Sequence, residues 1–462
     1  MLYTKGSALF WLCFFLPVLI GLFCEPARGE YSTVQNNGPV LNRVNMVFLG
    51  DGYTQQELES TYREHIQTAL KHFFQDGQDP YPRYRNFFNV HQVNVVSSES
   101  GVDVPPQGIY RNTALDASYY YDGVNRNSLY VDSDKTTQQL DQGLGDASFN
   151  PDIVLVTVNS AIAGGGTGTY SVYSGGYSNG AEIALHEMGH SFNNLADEYG
   201  GNDETYYGPE PNEVNVTSSP SGEKWSQWLG YDQPGVGVIG VYEGAYYCDR
   251  GIYSPSNNSK MRYLGEPFDA VCREKIILDI YARVRPMDGW LDNASLLVDP
   301  DSLWVKVVDS NVIKIEWLIG GIPIPDAEGE TFRLSDVNLG PGTYTVTARA
   351  YDPTDWVRRN REVLEQSIDW TVQLTVGTPE QAFKSPDVLN DNGTVGDNIS
   401  LADDYRVPLS ATVSEELAGA SEAKSISDVI GKGAPCGLLA IIPIGLILLG
   451  FSLIAGSSLK GD

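Results

Sequence analysis

The pattern of hydrophobic and polar positions in the first 190 residues predicts alternating strands and helices. Residues 44–54, VNMVFLGDGYT, are typical of a buried strand followed by a glycine turn, and residues 55–74 repeat their apolar positions with the period of a helix. Alternation in 88–98 and an apolar run in 151–160 predict two further strands. A further helix is predicted from about Gly180. The resulting order, strand, helix, strand, strand and helix, implies a mixed α/β (α+β) domain.

Beyond residue 286 the pattern changes to short alternating strands separated by turns. Segments such as LWVKVVDSNVIKIEW (303–317) and GTYTVTARAYD (342–352) show this alternation. We therefore predict a C-terminal immunoglobulin-like β-sandwich domain over residues 286–377. Residues 378–435 lose aromatic side chains and gain serine, aspartate and asparagine, which predicts a flexible acidic stalk.

Apolar segments at the two ends of the chain predict export and membrane attachment. Residues 1–29 combine a positive start, an apolar stretch and a small-x-small cleavage site, so we predict a signal peptide removed after Gly29. Residues 437–456 carry no charge and are long enough to cross a bilayer as a helix. The protein is thus predicted to be extracellular, at the cell surface, anchored by this transmembrane helix. A sorting signal that is later cut away is the alternative for 437–456.

Composition narrows the class of protein and the chemistry of its partners. Hydrophobic residues make up 42% of the chain, which excludes a mainly disordered protein. The formal net charge of −29 repels phosphate, so nucleic-acid binding is not expected. Cys248 and Cys272 are close in sequence and would be exported, so we predict a disulfide between them, with two unpaired buried thiols as the alternative.

The stretch HEMGHSFNNLADEY (186–199) carries the candidate chemistry. His186 and His190 are four residues apart, so on a helix both imidazoles share one face and can reach one ion. Glu187 lies on the adjoining face, where its carboxylate can accept a proton from a metal-activated water. A surface helix with two histidines is the alternative. The spacing favours a Zn²⁺ site with Glu187 as general base. His65, His72 and His91 are interpreted as structural because no partner motif accompanies them.

A catalytic zinc needs a third protein ligand and one open position. Asp197 would lie about 10 Å further along the axis than His190 if the helix continued, so the helix must end first. Asn193 and Asn194 tolerate the left-handed conformation that ends helices, and a reversal there would return LADEY towards the metal. We predict Asp197 as the third ligand, with Glu198 as the alternative. The carboxylate that is not bound would orient an imidazole.

Several motifs together resemble the immunoglobulin A peptidase family of zinc metallopeptidases. They are, in family order, GDGYT (50–54), ESG (99–101), VNSAIAGGGTG (158–168), HEMGHSFNNLADEY (186–199) and SKMRY (259–263). The resemblance implies a zincin-like metallopeptidase domain over residues 30–285, with His186, Glu187, His190 and Asp197 in the site. Relative to the metzincin pattern HExxHxxGxxH, Asn193 replaces the glycine and Ala196 the last histidine, so the third ligand must shift by one position.

The loop SNNSKMRYLG (256–265) resembles the Met-turn of metzincin peptidases and is similar to the S-x-M-x-Y loop of astacins. This resemblance implies that Met261 forms a floor under the metal and that Tyr263 is catalytic, hydrogen-bonding the oxyanion of the reaction. Ordinary packing of both side chains is the alternative. The predicted disulfide would bracket the loop and hold it rigid.

These observations favour a secreted or cell-surface zinc endopeptidase, a monomeric hydrolase acting on protein or peptide substrates. The peptide is expected to lie along an edge strand near residues 166–174, extending the sheet through backbone hydrogen bonds. The competing hypothesis is a non-catalytic, zinc-stabilised surface adhesion or scaffold protein. The complete HExxH motif, including its glutamate, favours the enzyme.

Overall fold

The computed structural model describes residues 30–75, 77–145 and 147–378. Over this part of the chain the predicted mixed α+β class is confirmed, because several sheets alternate with a few helices. Apart from short 3-10 turns, the helical segments are α1 (Gln55–Glu57), a π-helical turn (Leu58–Tyr62), α2 (Arg63–Gln75), α3 (Ser133–Leu144), α4 (Gly180–Ser191) and α5 (Ala270–Tyr281).

The largest sheet has six strands and lies between the helices. Up to α4 the strands are β1 (Glu30–Gln35), β2 (Val44–Asp51), β3 (Phe88–Asn94), β4 (Ser118–Tyr119), β5 (Leu129–Tyr130), β6 (Ile153–Val158), β7 (Gly165–Thr167) and β8 (Ser171–Ser174). The sheet order is β1-β3-β2-β6-β8-β7, and β4 pairs with β5 separately. The four inner strands are parallel, whereas β1 and β7 run antiparallel to their neighbours at the two edges.

Both faces of this sheet are covered, so its central strand β2 is buried at every position. Successive side chains of a strand point to opposite faces. Met46 and Phe48 accordingly join the core that contains α2 and α4, whereas Val47 and Leu49 join a second core with Leu140 of α3. Burial on both faces explains the apolar run Met46–Leu49 within β2, as in other parallel strands covered on both sides.

The predicted helix over 55–74 is present but is not uniform. Its first turn is closed by a capping box in which Thr54 and Glu57 bond each other's backbone. The π-helical turn then buries Leu58 and Tyr62 before α2 continues. The sequence did not predict α3, because its residues SDKTTQQLDQGL are mostly polar and only one side of the helix contacts the core.

The remaining strands belong to two small hairpins and to two larger sheets near the C-terminus. They are β9 (Asp232–Gln233), β10 (Gly237–Val238), β11 (Tyr242–Ala245), β12 (Cys248–Ser254), β13 (Met287–Trp290), β14 (Leu297–Val298), β15 (Ser302–Val307), β16 (Lys314–Ile319), β17 (Ile322–Pro323), β18 (Thr331–Arg333), β19 (Gly342–Tyr351) and β20 (Glu365–Leu374). Strands β13-β15-β18 form one sheet and β14-β20-β19-β16-β17 the other.

These two sheets share a core of large aromatic side chains. Trp317 stacks on Trp370 with ring centroids 5.7 Å apart, and on Phe332 of the other sheet at 5.3 Å. The same core is continuous with that of α2 and α4. At the junction the buried carboxylate of Asp352 accepts hydrogen bonds from Tyr84 and Tyr281 at 2.7 and 2.9 Å. The immunoglobulin-like class of residues 286–377 and the boundary at residue 286 stay predictions.

The predicted extracellular, membrane-anchored location is wrong on the evidence of the described helices. None of the helices in the described ranges is long and apolar enough to cross a membrane. Crossing requires about 20 largely apolar residues, whereas α2 has 13 residues and includes charged side chains. The predicted signal peptide (1–29), the predicted span (437–456) and the stalk beyond residue 378 lie outside the described residues.

The predicted disulfide between Cys248 and Cys272 is also wrong. Cys272 is a free, buried cysteine near the start of α5, and its thiol donates a hydrogen bond to Glu198 Oε1 at 3.3 Å. Burial raises the pKa of this thiol, which keeps it protonated. Cys248 lies on β12 in a different apolar cluster, with Ile252 and Val216. Closeness in sequence therefore did not bring the two sulfur atoms within bonding geometry.

Candidate metal centre

The helix α4 holds the HEMGH motif inside the protein. It packs on the sheet beside β7 and β8, and His186, Glu187 and Met188 are all buried within it. His186 and His190 lie one turn apart, and their Nε2 atoms are 3.1 Å from each other. The predicted helix, its start at Gly180 and the common face of the two imidazoles are all present in the structure.

The chain reverses direction directly after α4, as the two asparagines predicted. Asn194 has a φ of 49°, the left-handed conformation that closes a helix. The backbone amide of Leu195 then donates to Gly189 O at 3.0 Å. The side chain of Asn193 secures the turn by donating to Asp279 at 2.9 Å. Because of this reversal Asp197 returns to the helix instead of continuing away from it.

Three side-chain atoms converge at the end of this turn. Asp197 Oδ1 lies 3.1 Å from His186 Nε2 and 3.3 Å from His190 Nε2. These separations match the spacing of about 3.3 Å expected between ligand atoms placed tetrahedrally about 2.0–2.1 Å from a zinc ion. Glu198 points elsewhere, since its Oε1 accepts from Asn215 Nδ2 at 2.9 Å and from the Cys272 thiol. Of the two carboxylates that the sequence offered, Asp197 is the one beside the imidazoles.

Hydrogen bonds at the far side of each imidazole orient the ring nitrogens. His186 Nδ1 donates to Lys260 O at 3.1 Å, and His190 Nδ1 donates to Leu195 O at 2.6 Å. Each Nε2 is therefore free to present its lone pair to the convergence point. Asp197 Oδ1 is buried without a hydrogen-bond donor. Three acceptor atoms this close repel one another unless a proton or a metal ion lies between them, and two imidazole nitrogens with one carboxylate oxygen are a ligand set that fits a divalent metal ion.

The titration of these groups also indicates a site that attracts positive charge. Burial favours the neutral imidazole, but the carboxylate of Asp197 outweighs it and raises the pKa of His190 to about 9. Burial likewise opposes ionisation of Asp197, and the two histidines outweigh it and lower the pKa of that carboxyl. Both shifts have the same cause, which is the close approach of opposite charges in a buried place.

Glu187 lies beside this group with one carboxylate oxygen already engaged. Its Oε2 accepts a hydrogen bond from the Thr167 hydroxyl on β7, which leaves Oε1 available. A Cβ atom placed on Gly165 would lie 2.9 Å from that Oε1, so only a glycine leaves room for the carboxylate here. Burial raises the pKa of Glu187, which favours holding a proton.

The SKMRY loop lies against the motif helix and supports it. Met261 is fully buried, and its sulfur would lie 2.9 Å from a Cβ placed on Gly189, so the side chain packs closely against α4 at Gly189. The backbone carbonyl of Met261 accepts a hydrogen bond from Glu198 N at 2.8 Å. Lys260, the preceding residue, pairs with Glu182 of α4. These contacts couple the loop to the helix on both sides of His186.

The structure also brings to the site a tyrosine that the sequence did not indicate. Tyr263 lies half-buried in the SKMRY loop, where its backbone amide donates to Ser259 O at 2.8 Å. Among the residues with described positions, the tyrosine hydroxyl that donates to Asp197 is that of Tyr247, through Oδ2. Tyr247 is 50 residues from Asp197 in sequence and belongs to no motif. The one sequence signal for it is a pair of adjacent tyrosines, Tyr246 and Tyr247, at a position that forms the turn between β11 and β12.

Comparison with known proteins identifies part of this chain. Residues 33–236 match the family model described as IgA Peptidase M64. The matched range contains strands β2, β3, β6, β7 and β8 of the six-stranded sheet. It also contains all three of the converging residues His186, His190 and Asp197. The SKMRY loop and the two C-terminal sheets lie beyond it. No curated protein matches the chain.

Proposed function

We propose that this chain, a member of the IgA peptidase M64 family, is a zinc metalloendopeptidase. Family membership makes it a peptidase that acts on peptide substrates. The proposal assigns His186, His190 and Asp197 as ligands of one zinc ion and Glu187 as general base. It is supported mainly by one observation, the convergence of three lone-pair atoms within 3.3 Å of one another with no hydrogen-bond donor on Asp197 Oδ1.

The chemistry follows from how these side chains are held. A zinc ion held by His186, His190 and Asp197 would supply a Lewis acid able to polarise the scissile carbonyl and to acidify a water molecule. Glu187 Oε1 would take the proton from that water, because Oε2 already accepts a hydrogen bond from Thr167. The raised pKa of Glu187 lets it keep that proton until the leaving amine accepts it. The role of Tyr263 as donor to the oxyanion stays a prediction from the resemblance of its loop.

The substrate is proposed to pair with the edge strand β7. This strand runs antiparallel to β8 at the end of the sheet nearest to Glu187, and Thr167 at its end is exposed. The amide of Gly165 already donates to Asn127 O at 3.1 Å. A bound peptide would therefore extend the sheet from Thr167 onwards, which lies within the predicted 166–174 stretch.

Replacing Glu187 by glutamine tests the proposal. The wild type is expected to contain about one zinc ion per chain and to cleave an unfolded protein such as casein in a chelator-sensitive manner. Glu187→Gln should keep the metal and lose at least about 100-fold in cleavage rate, since general base catalysis contributes roughly 10²–10⁴-fold. Glu59→Gln is the matched control, because Glu59 is 62% exposed on the surface of the helical region. Unchanged cleavage by Glu187→Gln would reject the assignment.

A non-catalytic, zinc-stabilised scaffold protein is the second candidate. The observation that favours it is the burial of the site, since Glu187 is only 3% exposed and Asp197 only 5%. In that case the wild type would bind zinc and cleave nothing in a diverse peptide library, and chelation would lower its thermal stability alone. The division into domains, the immunoglobulin-like class of the C-terminal sheets and the monomeric state are retained as further proposals.

A further inference from the structure

We propose that Tyr247 is a positioning residue for the metal centre: its hydroxyl holds the Asp197 carboxylate so that Oδ1 faces the two imidazoles. The inference rests on the proposed metal site but not on the proposed peptidase activity. It assigns to the β11–β12 hairpin a part in the site that neither the HEMGH motif nor the SKMRY loop supplies.

The hairpin turn that presents Tyr247 has an unusual backbone. Ala245 and Cys248 pair across β11 and β12, which leaves Tyr246 and Tyr247 as a two-residue turn. Both have positive φ, at 53° and 65°. Tight turns with positive φ at both central residues strongly favour Asn-Gly or Asp-Gly, because side chains crowd the backbone in this region. Two tyrosines here are therefore strained, and strained residues persist where surrounding contacts hold them, commonly at functional sites.

Three hydrogen bonds join this turn to the segment that carries the third ligand. Tyr246 N donates to Asp197 O at 2.9 Å, and Tyr247 N donates to Tyr199 O at 2.9 Å. The Tyr247 hydroxyl donates to Asp197 Oδ2. The Tyr247 ring also packs edge-on against Tyr199, with centroids 5.2 Å apart. Backbone and side chain of the turn thus act on the same residue, so the position of Asp197 depends on both.

The hydroxyl matters because a carboxylate has two equivalent oxygens and can rotate. With Oδ2 engaged by Tyr247, the rotation that points Oδ1 at His186 Nε2 and His190 Nε2 is selected before any cation binds. Partners of this kind, which bond a ligand instead of the metal, commonly contribute 10- to 100-fold to metal affinity. Tyr247 acts through Asp197 and not on the reacting atoms, so its effect should appear in metal binding itself.

The test compares Tyr247→Phe with Tyr246→Phe in otherwise intact protein. Zn²⁺ affinity is measured by competition with a chromophoric chelator, and the visible absorption of the Co²⁺-substituted protein reports ligand geometry. Tyr247→Phe should weaken Zn²⁺ binding by about 10- to 100-fold and alter the Co²⁺ spectrum. Tyr246→Phe loses a hydroxyl from the same strained turn and should change affinity less than about 2-fold.

Repeating the Tyr247→Phe substitution in an Asp197→Ala variant distinguishes an effect on the position of Asp197 from a general effect on the fold. In Asp197→Ala the partner of the hydroxyl is gone, so adding Tyr247→Phe should cause no further loss of Zn²⁺ affinity. Equal losses in both backgrounds would mean a general structural effect and would overturn the inference. So would an affinity and a Co²⁺ spectrum for Tyr247→Phe like those of the wild type. A wild type that binds Zn²⁺ but cleaves no peptide would overturn the peptidase and leave this inference standing. A wild type that binds no Zn²⁺ would overturn both.

Discussion

The buried ion pair between Lys260 and Glu182, which adjoins the candidate metal centre, allows a prediction of its contribution to stability. Lys260 is fully buried, and its ammonium group pairs with Glu182 Oε1, while Glu182 Oε2 accepts from His72 Nε2 at 2.5 Å. Lys260 O is also the acceptor that orients His186. Glu182→Gln keeps the shape of the side chain and removes its charge, which leaves the ammonium group of Lys260 buried without a counter-charge.

The pKa of Glu182 sets the expected magnitude. Burial by itself would raise this pKa, but the charge of Lys260 and the hydrogen bonds from His72 and Lys260 lower it from 4.5 to about 2. A fall of that size corresponds to about 3 kcal/mol of folding free energy. Breaking a buried pair by removing one partner costs a similar 3–5 kcal/mol or so. We therefore expect Glu182→Gln to lower the free energy of unfolding by about 3 kcal/mol at pH 7.

The pH dependence gives an independent check with a definite sign. Because the pKa of Glu182 is lower in the folded protein, its stabilising effect is complete above about pH 4.5 and is lost as the pH falls towards 2. The stability gap between wild type and Glu182→Gln should thus narrow by roughly 1.4 kcal/mol between pH 7 and pH 3.5.

Urea unfolding at the two pH values measures both quantities. The matched control is Glu59→Gln, which removes an exposed salt bridge to Arg63 and should change stability by less than about 1 kcal/mol. A loss below about 1 kcal/mol for Glu182→Gln at pH 7 would refute the reasoning, and so would a gap of the same size at both pH values.

Two further predictions concern packing and cysteine chemistry. Gly165→Ala should destabilise the protein by about 1–3 kcal/mol and reduce cleavage, because the new Cβ would lie 2.3 Å from Ile183 and 2.9 Å from Glu187 Oε1. Urea unfolding and a peptidase assay measure the two effects. The control is Gly168→Ala, whose new Cβ would have no atom within 4 Å. Because Cys272 is a free, buried thiol, iodoacetamide should not alkylate it in the native protein. It should alkylate Cys272 once the protein is unfolded, without any reductant, and peptide mass mapping measures both results. A disulfide-linked peptide that contains Cys272 would contradict this prediction.

The elements that the sequence predicted correctly are those specified by short-range patterns. Unbroken or alternating apolar residues identified β2, β3 and β6, and helical periodicity identified α2. The helix α3 was missed because its residues are mostly polar and its contact with the core is narrow. The sequence also did not predict the π-helical turn before α2, in which Leu58 and Tyr62 are buried in the core.

In the candidate metal centre, too, some features follow from short-range sequence patterns and others depend on tertiary contacts. That His186 and His190 share a face follows from helix geometry, and that the chain turns at Asn194 follows from the tolerance of asparagine for positive φ. The sequence predicted Asp197 as the third ligand but left Glu198 as the alternative, because adjacent carboxylates differ only in what surrounds them. Glu198 faces Asn215 and Cys272, which come from other parts of the chain.

By itself, then, the sequence determined the mixed α+β class, the helix that carries the motif, the reversal after it and the residue types able to bind zinc. Only the tertiary structure decided that Cys272 is a free thiol, that Lys260 is buried against Glu182, and that Tyr247 reaches Asp197. The reason is physical: backbone periodicity and left-handed turns are set by neighbouring residues, whereas contacts across 50 or more positions depend on how complete elements pack together.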